Sequence, residues 1–447
     1  MIAYRLSELA QYLDGTLVGS DKTVTGFSTD SRQANIDDLF IALIGERFDA
    51  HDFCAASAAG ACVVSRQLPI EQAQIVVADT QVALQQLGKF CRQQATKAKV
   101  VALTGSAGKT TTRELLAQMM QPLGEGVVTQ GNLNNDIGVP LTLFRMQPTT
   151  EWAVIECGAS RVGDIGRIAP LAMPQVTILL NALDAHIGKF GSLENIRTGK
   201  GEIIAAASQA VVLNLDDPAF AQWQARTPAA TKLLTFSMHN PKAHAFASDI
   251  HCTARDTKLT VHIHGSTYSA RIAVPGKHLV HNFLAALLAA VEHGVDASSA
   301  IALAESFEGF AGRMAFVELQ DRLLIDDSYN ASPASVYAAI DVLAAQNGYK
   351  VLALGDLAEL GEQSERIHQE IGQYACGRVD ELLTVGNISR FAQQQFDGRS
   401  KHYASNSDLT ADLVSHLPVG SVLLVKGSRG AAMDQVADAA RSLWSKS

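Results

Sequence analysis

Apolar residues along the chain form short continuous runs, each followed by a glycine or polar turn and then by a segment of helical periodicity. The run Lys99–Thr104 leads through a glycine turn into a segment with one apolar helical face. That face consists of Leu115, Leu116, Met119 and Met120. The runs at 152–155 and 176–180 resemble Lys99–Thr104. Continuous apolar runs are typical of strands that are buried on both faces of a parallel sheet.

The same alternation recurs between residues 312 and 447. Apolar runs in this region predict strands at 323–325, 351–354, 382–385 and 422–425. The intervening helices are predicted to begin near Ser332, Ser364, Ser389 and Gly430. Strands that alternate with helices in this way require right-handed crossovers, which build a doubly wound parallel sheet.

Two stretches depart from this alternation. Residues 1–82 hold short apolar runs separated by Gly, Asp and Ser, and these runs predict a small mixed sheet. Residues 245–275 alternate apolar and polar side chains, which predicts an antiparallel hairpin. An Ala- and Leu-rich helix is predicted at 282–293.

These patterns predict an α/β protein of three domains. The first is a small mixed α/β domain, the second is built on a parallel sheet, and the third is a Rossmann-like doubly wound domain. Their predicted bounds are 1–82, 83–311 and 312–447. The 447 residues are 47% hydrophobic and 18% charged, so the chain has ample core and is not a disordered protein.

Charge and cysteine content exclude several classes of protein. A net charge of −9 argues against a protein that binds a nucleic-acid backbone. Six scattered cysteines without a C-x-x-C pair argue against a disulfide framework or a zinc site, and favour a reducing compartment. The N-terminus is charged where a signal peptide is apolar, and the longest apolar run, 283–291, is shorter than the roughly 20 residues of a membrane span. We predict a cytoplasmic protein without a transmembrane segment.

The strongest motif is Thr104-Gly-Ser-Ala-Gly-Lys-Thr-Thr, between a predicted strand and a predicted helix. A turn of this kind directs backbone N–H groups and the helix N-terminus toward phosphate oxygens. Lys109 would contact the β- and γ-phosphates, and the Thr110 hydroxyl would reach a magnesium ion. Leu103 stands where the P-loop pattern has its first glycine. The alternative is a tight turn with a solvated lysine, but the strand-to-helix position favours a P-loop-type ATPase domain.

Polar residues follow other predicted strands. Glu156 ends the run at 152–155, and carboxylates at the carboxyl ends of parallel strands face the ligand crevice, so Glu156 is a candidate magnesium ligand. A lone acid at such a position is more often a cap or an ion-pair partner. His186 follows the run at 176–180, and its spacing does not distinguish a ligand from an ordinary loop histidine.

Three polar clusters also lie just past predicted strands or turns, at 131–140, 326–330 and 426–429. The first is rich in amides, which suit a ligand with many polar groups. In the third, Lys426 and Arg429 could hold a carboxylate. Each cluster alone is explained by turn chemistry. Together they indicate a ligand crevice of the kind that doubly wound sheets form.

These motifs, in this order, resemble the Mur ligase family, the ATP-dependent amide-forming enzymes of bacterial peptidoglycan precursor synthesis. The resemblance covers essentially the whole chain, and the family's phosphate loop lacks the first glycine, which accounts for Leu103. The D-N-P-R motif of the diamino-acid-adding member is absent. Five segments favour the member that adds D-alanyl-D-alanine to UDP-N-acetylmuramoyl-tripeptide: 28–32, 43–53, 131–140, 326–331 and 355–361.

The resemblance implies an ATP site. The phosphates would lie on Gly105, Ser106, Ala107, Gly108, Lys109, Thr110 and Thr111. The adenine, phosphate and ribose parts would contact Asn282, Arg313 and Asp327. One position departs from the family's G-x-H-N-x-x-N pattern, since Leu279 replaces the first Asn.

The resemblance also implies the catalytic and metal-binding groups. The expected catalytic residues are Lys109, Glu156, His186 and Lys200. The expected ligands of magnesium, present as two ions, are Thr110, Glu156, His186 and Lys200. Lys200 matches a lysine that the family often carbamylates, a change that would turn a cation into an anion able to orient the second ion. An unmodified lysine on a phosphate or carboxylate is the alternative.

By the same resemblance, the domain at 1–82 would bind the uridine end of the nucleotide substrate, 83–311 would bind ATP, and 312–447 would bind the incoming dipeptide and part of ATP. The expected substrate contacts are Ser31, Arg32, Gly45, Arg47, Phe48, Asn134, Asn135, Asp356, Lys426 and Arg429. We expect a monomer that binds these small molecules and no nucleic acid.

The implied reaction activates the tripeptide carboxylate as an acyl phosphate, which the dipeptide amine then attacks. Rival interpretations remain at this point. They are another amide ligase (diamino-acid-adding or folylpolyglutamate-synthetase-like), a nucleotide-switch ATPase that makes no covalent product, and a sugar-nucleotide-binding scaffold with a decayed ATP site.

Overall fold

A computed structural model describes residues 2–183, 187–307, 309 and 312–445, apart from the side chains of 414–416. The chain divides into two compact units. The first unit comprises Met1–Ala102, Leu123–Gly158 and Gly166–Gln175. The second comprises Leu103–Pro122, Ala159–Ile165 and Val176–Ser447.

The N-terminal part of the first unit is built on a small mixed sheet, as predicted. Its elements are β1 (Tyr4–Arg5), α1 (Leu6–Tyr12), β2 (Thr16–Val18), β3 (Thr23–Val24), β4 (Gly26–Ser28), β5 (Asp38–Ile41), β6 (Ala61–Val64), β7 (Ala73–Val76) and α2 (Thr80–Gln94). The sheet order is β2-β7-β6-β5-β4, with β2 antiparallel to β7 and the other pairs parallel. Leu39, Ile41 and Ile75 of the sheet share one buried cluster with Leu6 and Leu84 of the helices.

The middle of the chain contains the predicted buried strands. Its elements are β8 (Lys99–Thr104), α3 (Lys109–Met120), β9 (Gly126–Val128), α4 (Gly138–Leu143), β10 (Trp152–Glu156), α5 (Asp164–Ile168), β11 (Val176–Leu179), α6 (Ile187–Phe190), α7 (Leu193–Gly201), β12 (Ala210–Asn214), α8 (Phe220–Arg226), β13 (Lys232–Ser237), β14 (Ala245–Cys252), β15 (Thr257–Ile263), β16 (Ser266–Ile272), α9 (His278–Glu292) and α10 (Ala297–Ala304). In the first unit β9 and β10 pair in parallel.

In the second unit, β11, β12, β13 and β14 pair in parallel in that order, and β14, β15 and β16 continue as an antiparallel meander. The predicted hairpin at 245–275 is therefore confirmed. The predicted apolar face of α3 is fully buried. The Ala- and Leu-rich helix begins at His278, four residues before its predicted start.

The C-terminal part of the second unit has the predicted doubly wound architecture. Its elements are β17 (Ala315–Leu319), β18 (Arg322–Asp327), α11 (Pro333–Ala344), β19 (Tyr349–Gly355), α12 (Ser364–Ala375), β20 (Glu381–Val385), α13 (Arg390–Gln395), β21 (Arg399–Tyr403), α14 (Asn406–His416), β22 (Ser421–Lys426) and α15 (Asp434–Trp444). The sheet order is β17-β18-β22-β19-β20-β21, with only β17 antiparallel to its neighbour among these strands. All six residues of β22, at the sheet centre, are buried.

Two features of this region differ from the sequence prediction. The last helix begins at Asp434 rather than near Gly430, because Arg429–Ala431 form a 3₁₀ turn that ends in a left-handed residue, Ala432 (φ 50°). The sequence also predicted neither β21 nor α14. The strand β21 lies at the sheet edge and reads Arg-Ser-Lys-His-Tyr, so it lacks the apolar run that marks a buried strand.

Among the helices of the described residues, none has the length and apolar content that a membrane crossing requires.

We expect Gly372→Ala to lower the denaturation temperature by several degrees. A Cβ at position 372 of α12 would overlap the carbonyl oxygen of Ala392 on α13, and the neighbouring atom is backbone. Forced overpacking of this kind costs about 1–3 kcal/mol. Thermal denaturation followed by circular dichroism measures the change. Gly430→Ala is the matched control, since a Cβ there meets no atom within 4 Å. Equal denaturation temperatures for the two variants would contradict the close approach of α12 and α13.

Candidate active site

The glycine-rich motif forms the turn between the end of β8 at Thr104 and the start of α3 at Lys109. Gly108 lies in the left-handed region (φ 82°), which disfavours any residue with a Cβ. A Cβ at this position would also overlap the side-chain oxygen of Asn282, on α9. Two independent constraints therefore require glycine here, and Asn282 lies against the loop.

Asn181, just past β11, fastens the loop from the other side. Its backbone oxygen accepts a hydrogen bond from the Ser106 N–H (3.1 Å). Its side chain accepts from the Ala107 N–H (2.9 Å) and donates to the Ala107 carbonyl (3.1 Å). The loop is thus held in shape before any ligand binds. The sequence pattern indicated His186 rather than Asn181 in this segment, and His186 lies outside the described residues.

Lys109 and Thr110 present the polar groups of the loop. The Lys109 ammonium folds back and donates to the Gly105 carbonyl at 2.8 Å. Thr110 is largely buried, and its hydroxyl oxygen is 3.4 Å from a guanidinium nitrogen of Arg313. Thr111 follows on α3 and is partly buried. A cation and a hydroxyl at the start of a 12-residue helix suit an anionic ligand.

Asp327 and Lys426 lie opposite one another at the carboxyl ends of the adjacent parallel strands β18 and β22, and they form a buried ion pair. The Lys426 ammonium also donates to the Asn330 carbonyl (3.1 Å), and Asp327 accepts from the Met314 N–H (3.2 Å). Burial lowers the pKa of the Lys426 ammonium, and the Asp327 carboxylate opposes that shift. The carboxylate that Lys426 holds in this structure is therefore Asp327.

The ring of Tyr329 contacts two arginines that the sequence had singled out. Its ring centroid is 4.3 Å from the guanidinium carbon of Arg313 and 5.5 Å from that of Arg429. Arg429 also pairs with Asp434 (2.9 Å), and its backbone N–H donates to the Asn330 side chain (3.2 Å). The sequence cluster at 326–330 indicated a polar site, but it did not indicate that the Tyr329 ring contacts both arginines.

Asp356 binds the backbone of the segment that precedes α13. Its carboxylate accepts backbone N–H groups of Asn387 (2.8 Å), Ile388 (3.0 Å) and Ser389 (2.7 Å), just before α13. Burial by itself would raise the pKa of the Asp356 carboxyl, but these donors outweigh it and hold the pKa below its ordinary value. Asp356 thereby fixes the end of β19 to the start of α13.

Lys200, on α7, is almost completely buried. Its ammonium lies 5.7 Å from the ring centroid of Phe190, at the end of α6. The backbone of the neighbouring Gly199 lies close to the same ring. A Cβ added at position 199 would be only 2.9 Å from a Phe190 ring carbon. A buried lysine next to an aromatic ring is an unusual arrangement that requires compensating contacts.

In the first unit, the end of β10 carries Glu156, which is 2% exposed. Its carboxylate accepts a hydrogen bond from the Asn134 side chain (2.8 Å), and its backbone N–H donates to the Thr129 hydroxyl (2.9 Å). Asn135 instead accepts the Gly138 N–H (2.8 Å) and so caps α4. Of the two adjacent asparagines, Asn134 therefore orients a carboxylate and Asn135 binds the start of a helix.

Two exposed loops of the first unit hold the remaining candidates. Ser31 and Arg32 follow β4, and Arg32 binds Asp30 at 2.7 Å, which with other hydrogen bonds from Arg32 lowers the pKa of that carboxyl to about 2. Gly45, Arg47 and Phe48 belong to the loop after β5, where the Gly45 N–H donates to the Phe48 carbonyl (2.9 Å). The Phe48 ring is 61% exposed, which leaves an apolar surface and a nearby cation in one loop.

No group of three or more His, Cys, Asp or Glu side chains within the described residues is arranged to hold a metal ion. This finding does not conflict with magnesium, because Mg²⁺ is usually bound by one or two carboxylates together with substrate phosphates and water. The buried Glu156 carboxylate and the Thr110 hydroxyl are oxygen donors of the required kind.

Comparison with known proteins adds sequence and structural relatives. The Mur ligase middle domain matches residues 103–290, and the glutamate ligase domain of Mur ligases matches 312–429. The UDP-N-acetylmuramoyl-tripeptide--D-alanyl-D-alanine ligase of Escherichia coli K12 is 38% identical over 98% of both chains, and that of Bacillus subtilis 33% identical over 98% of both.

Solved structures of similar proteins indicate the same family. MurF from Acinetobacter baumannii is 33% identical and superimposes with a TM-score of 0.93 over 99% of both chains. MurF from Thermotoga maritima in complex with ADP is 26% identical and gives a TM-score of 0.83 over 94% of this chain and 98% of that chain. The predicted three-domain α/β architecture is thereby confirmed. On these full-length similarities, the chain belongs to the Mur ligase family.

Proposed function

We propose that this chain is an ATP-dependent ligase that joins D-alanyl-D-alanine to UDP-N-acetylmuramoyl-tripeptide. The observation that carries this proposal is the 38% identity, over 98% of both chains, to an E. coli ligase named for that reaction. The phosphate loop held by Asn181 and Asn282 supplies a site for ATP. The product is the nucleotide pentapeptide precursor of peptidoglycan, and we place the enzyme in the bacterial cytoplasm as a monomer.

The reaction needs activation because a carboxylate is a poor electrophile. The γ-phosphoryl group passes from ATP to the terminal carboxylate of the tripeptide, which leaves ADP and an acyl phosphate. The amine of the dipeptide then attacks the acyl carbon, loses a proton, and expels inorganic phosphate as the amide forms. Phosphoryl transfer of this kind depends mainly on positioning and on electrostatic stabilisation of the phosphoryl oxygens.

The phosphate loop is suited to that task. Gly105–Gly108 form the turn and Lys109–Thr111 begin α3, and Asn181 fixes the backbone of the turn at Ser106 and Ala107. The Lys109 ammonium, now on the Gly105 carbonyl, would exchange that partner for a phosphate oxygen of ATP. Arg313, next to Thr110, would bring a second cation to the phosphates.

Asn282 and Asp327 are proposed to bind the rest of ATP. Asn282 lies against the loop glycine Gly108, so its amide can contact a nucleotide held there. Asp327 is anchored by Lys426 and by the Met314 N–H, so its carboxylate has a fixed orientation, in which it would accept a hydrogen bond from a ribose hydroxyl.

Magnesium is expected to be bound by Thr110 and Glu156, with His186 and a modified Lys200 as further ligands. Bound magnesium would neutralise charge on the phosphates. Asn134 holds the Glu156 carboxylate in one orientation, and β10 buries it away from bulk water. The protein's own contribution is thus a pre-oriented oxygen donor.

The nucleotide substrate is proposed to bind residues 1–82 through Ser31, Arg32 and the loop with Gly45, Arg47 and Phe48. Arginines suit the diphosphate, and the exposed Phe48 ring suits the uracil face. Residues 83–311 are assigned to ATP, and 312–447 to the dipeptide and part of ATP. Arg429 is the cation assigned to the dipeptide carboxylate.

Four other candidate residues are proposed to act indirectly, by holding other parts of the site. Asn134 orients Glu156, Asn135 binds the start of α4, and Asp356 binds the backbone just before α13, so their polar groups shape the substrate site. Lys426 acts on the substrate through Asp327, which it holds.

We also propose that Lys200 is carbamylated. Addition of CO₂ to the neutral amine gives a carbamate anion and releases a proton, so a buried cation becomes an oxygen ligand for magnesium. The burial of Lys200 and the ring of Phe190 beside it provide a site that excludes most water.

We expect Lys109→Met to reduce ATP-dependent phosphate release by at least about 100-fold, because the variant lacks the cation that stabilises the transferring phosphoryl group. Malachite-green phosphate assays measure the rate. Lys97→Met, which removes an exposed lysine, is the matched control and should retain wild-type activity. Wild-type activity in Lys109→Met would contradict the assigned role.

The acceptor specificity tests the function itself. With ATP and UDP-N-acetylmuramoyl-tripeptide, phosphate release should require D-alanyl-D-alanine, and mass spectrometry should show a product heavier by one dipeptide unit. Release with a diamino acid and a shorter nucleotide peptide would identify a different Mur ligase. Release without any acceptor would identify a nucleotide-switch ATPase.

Carbamylation predicts a dependence on bicarbonate. Removal of CO₂ and bicarbonate should slow the wild-type reaction, re-addition should restore it, and ¹³C-bicarbonate should give a carbamate signal in the NMR spectrum. Lys200→Ala should lack the signal and the restoration. The proposal fails if the wild-type enzyme shows neither.

A further inference from the structure

The loop that follows β19 carries a strained tip. Glu359 (φ 63°) and Gly361 (φ 58°) both adopt left-handed backbone conformations, and for a residue with a Cβ, such as Glu359, this conformation is uncommon. The base of the loop is anchored, since Asp356 accepts the Ser389 N–H just before α13 (2.7 Å) and the Leu357 N–H donates to His368 (3.1 Å). The fold therefore holds the backbone of Glu359 in an unfavourable conformation, and such strain is typical of functional positions.

The strained tip contacts the short helix α6. The Gly188 N–H donates to the Glu359 carbonyl (3.1 Å), and the Lys189 ammonium pairs with the Glu359 carboxylate (2.5 Å). A Cβ at position 188 would be 3.0 Å from the Glu359 carbonyl oxygen and 3.1 Å from the Gly361 nitrogen. One residue thus contacts α6 through both its backbone and its side chain, and glycine permits the approach.

Helix α6 in turn carries the ring on which Lys200 lies. Phe190, its last residue, is 4% exposed and holds the Lys200 ammonium 5.7 Å from its ring centroid. The Phe190 carbonyl accepts the Asn195 side-chain amide (2.7 Å), which ties α6 to α7. A displacement of α6 must therefore move the ring under Lys200 or break these contacts.

We propose that Glu359 is a positioning residue for Lys200, which acts through Gly188, Lys189 and the Phe190 ring. This inference rests on the catalytic role proposed above for Lys200. It connects the C-terminal loop 355–361 to the lysine that the reaction uses. The exposed ion pair contributes little energy alone, so the backbone contact with Gly188 is expected to carry most of the effect.

The test compares Gly188→Ala and Glu359→Ala with wild type. We expect kcat to fall about 10- to 100-fold in Gly188→Ala and about 3- to 10-fold in Glu359→Ala, because misplacement of a catalytic group by about 1 Å can cost 100-fold. The KM for ATP should stay within about twofold, since both variants keep Asn181 and Asn282, which contact the phosphate loop. Glu370→Gln, which breaks an exposed ion pair with Arg366 on α12, is the control and should keep wild-type kcat.

Hydrogen-exchange mass spectrometry of the substrate-free proteins supplies a second readout. Residues 193–201 of α7 should exchange several-fold faster in both variants, whereas α12 should not change. A loss of kcat without faster exchange at 193–201 would overturn the proposal, and so would wild-type kcat in both variants. If Gly188→Ala does not fold, Glu359→Ala, a change at a part-exposed side chain, still decides the outcome.

These results separate the two proposals. If wild-type protein forms no amide, the proposed function fails, but the exchange of 193–201 still shows whether Glu359 positions α7. If wild-type protein forms the amide and the variants match it in both readouts, the positioning role alone fails.

Discussion

The fixed shape of the phosphate loop is the constraint on which the rest of the site depends. Asn181 binds the backbone of two consecutive loop residues, and Asn282 lies against Gly108 on another side. A loop held in this way has its N–H groups directed before ATP arrives, so little ordering remains to be done on binding. Lys109 and Arg313 are the cations proposed to act on a phosphate group bound there.

Strand ends supply most of the other functional groups, and their neighbours decide how each is used. Asp327 and Lys426 are the last residues of adjacent strands and lie opposite one another, so their charges neutralise one another in a buried environment. Replacement of one partner alone would leave a buried unpaired charge, which costs far more than an exposed ion pair contributes. The pair therefore fixes the end of β18, two residues before Tyr329, whose ring contacts Arg313 and Arg429.

The partners of the other polar groups are of two kinds, backbone N–H groups and side chains. Asp356 and Asn135 have backbone N–H partners, which lie just before α13 and at the first residue of α4. Glu156 and Asn134 instead bind one another through their side chains. Glu359 combines both kinds of contact, because its strained backbone and its carboxylate meet the same short helix.

The sequence by itself determined the elements that depend only on residues close together along the chain. The run Lys99–Thr104, the glycine turn and the apolar face of α3 lie within 22 residues, and the structure reproduces all three. Polar edge elements such as β21 lacked that local signal and were missed. The partners of Lys426 and Gly108 were decided only by tertiary structure, since the contacts come from Asp327 and Asn282, far away in sequence. Side-chain periodicity reports which face of an element is buried, but a hydrogen-bond partner depends on which strand ends the crossovers bring together.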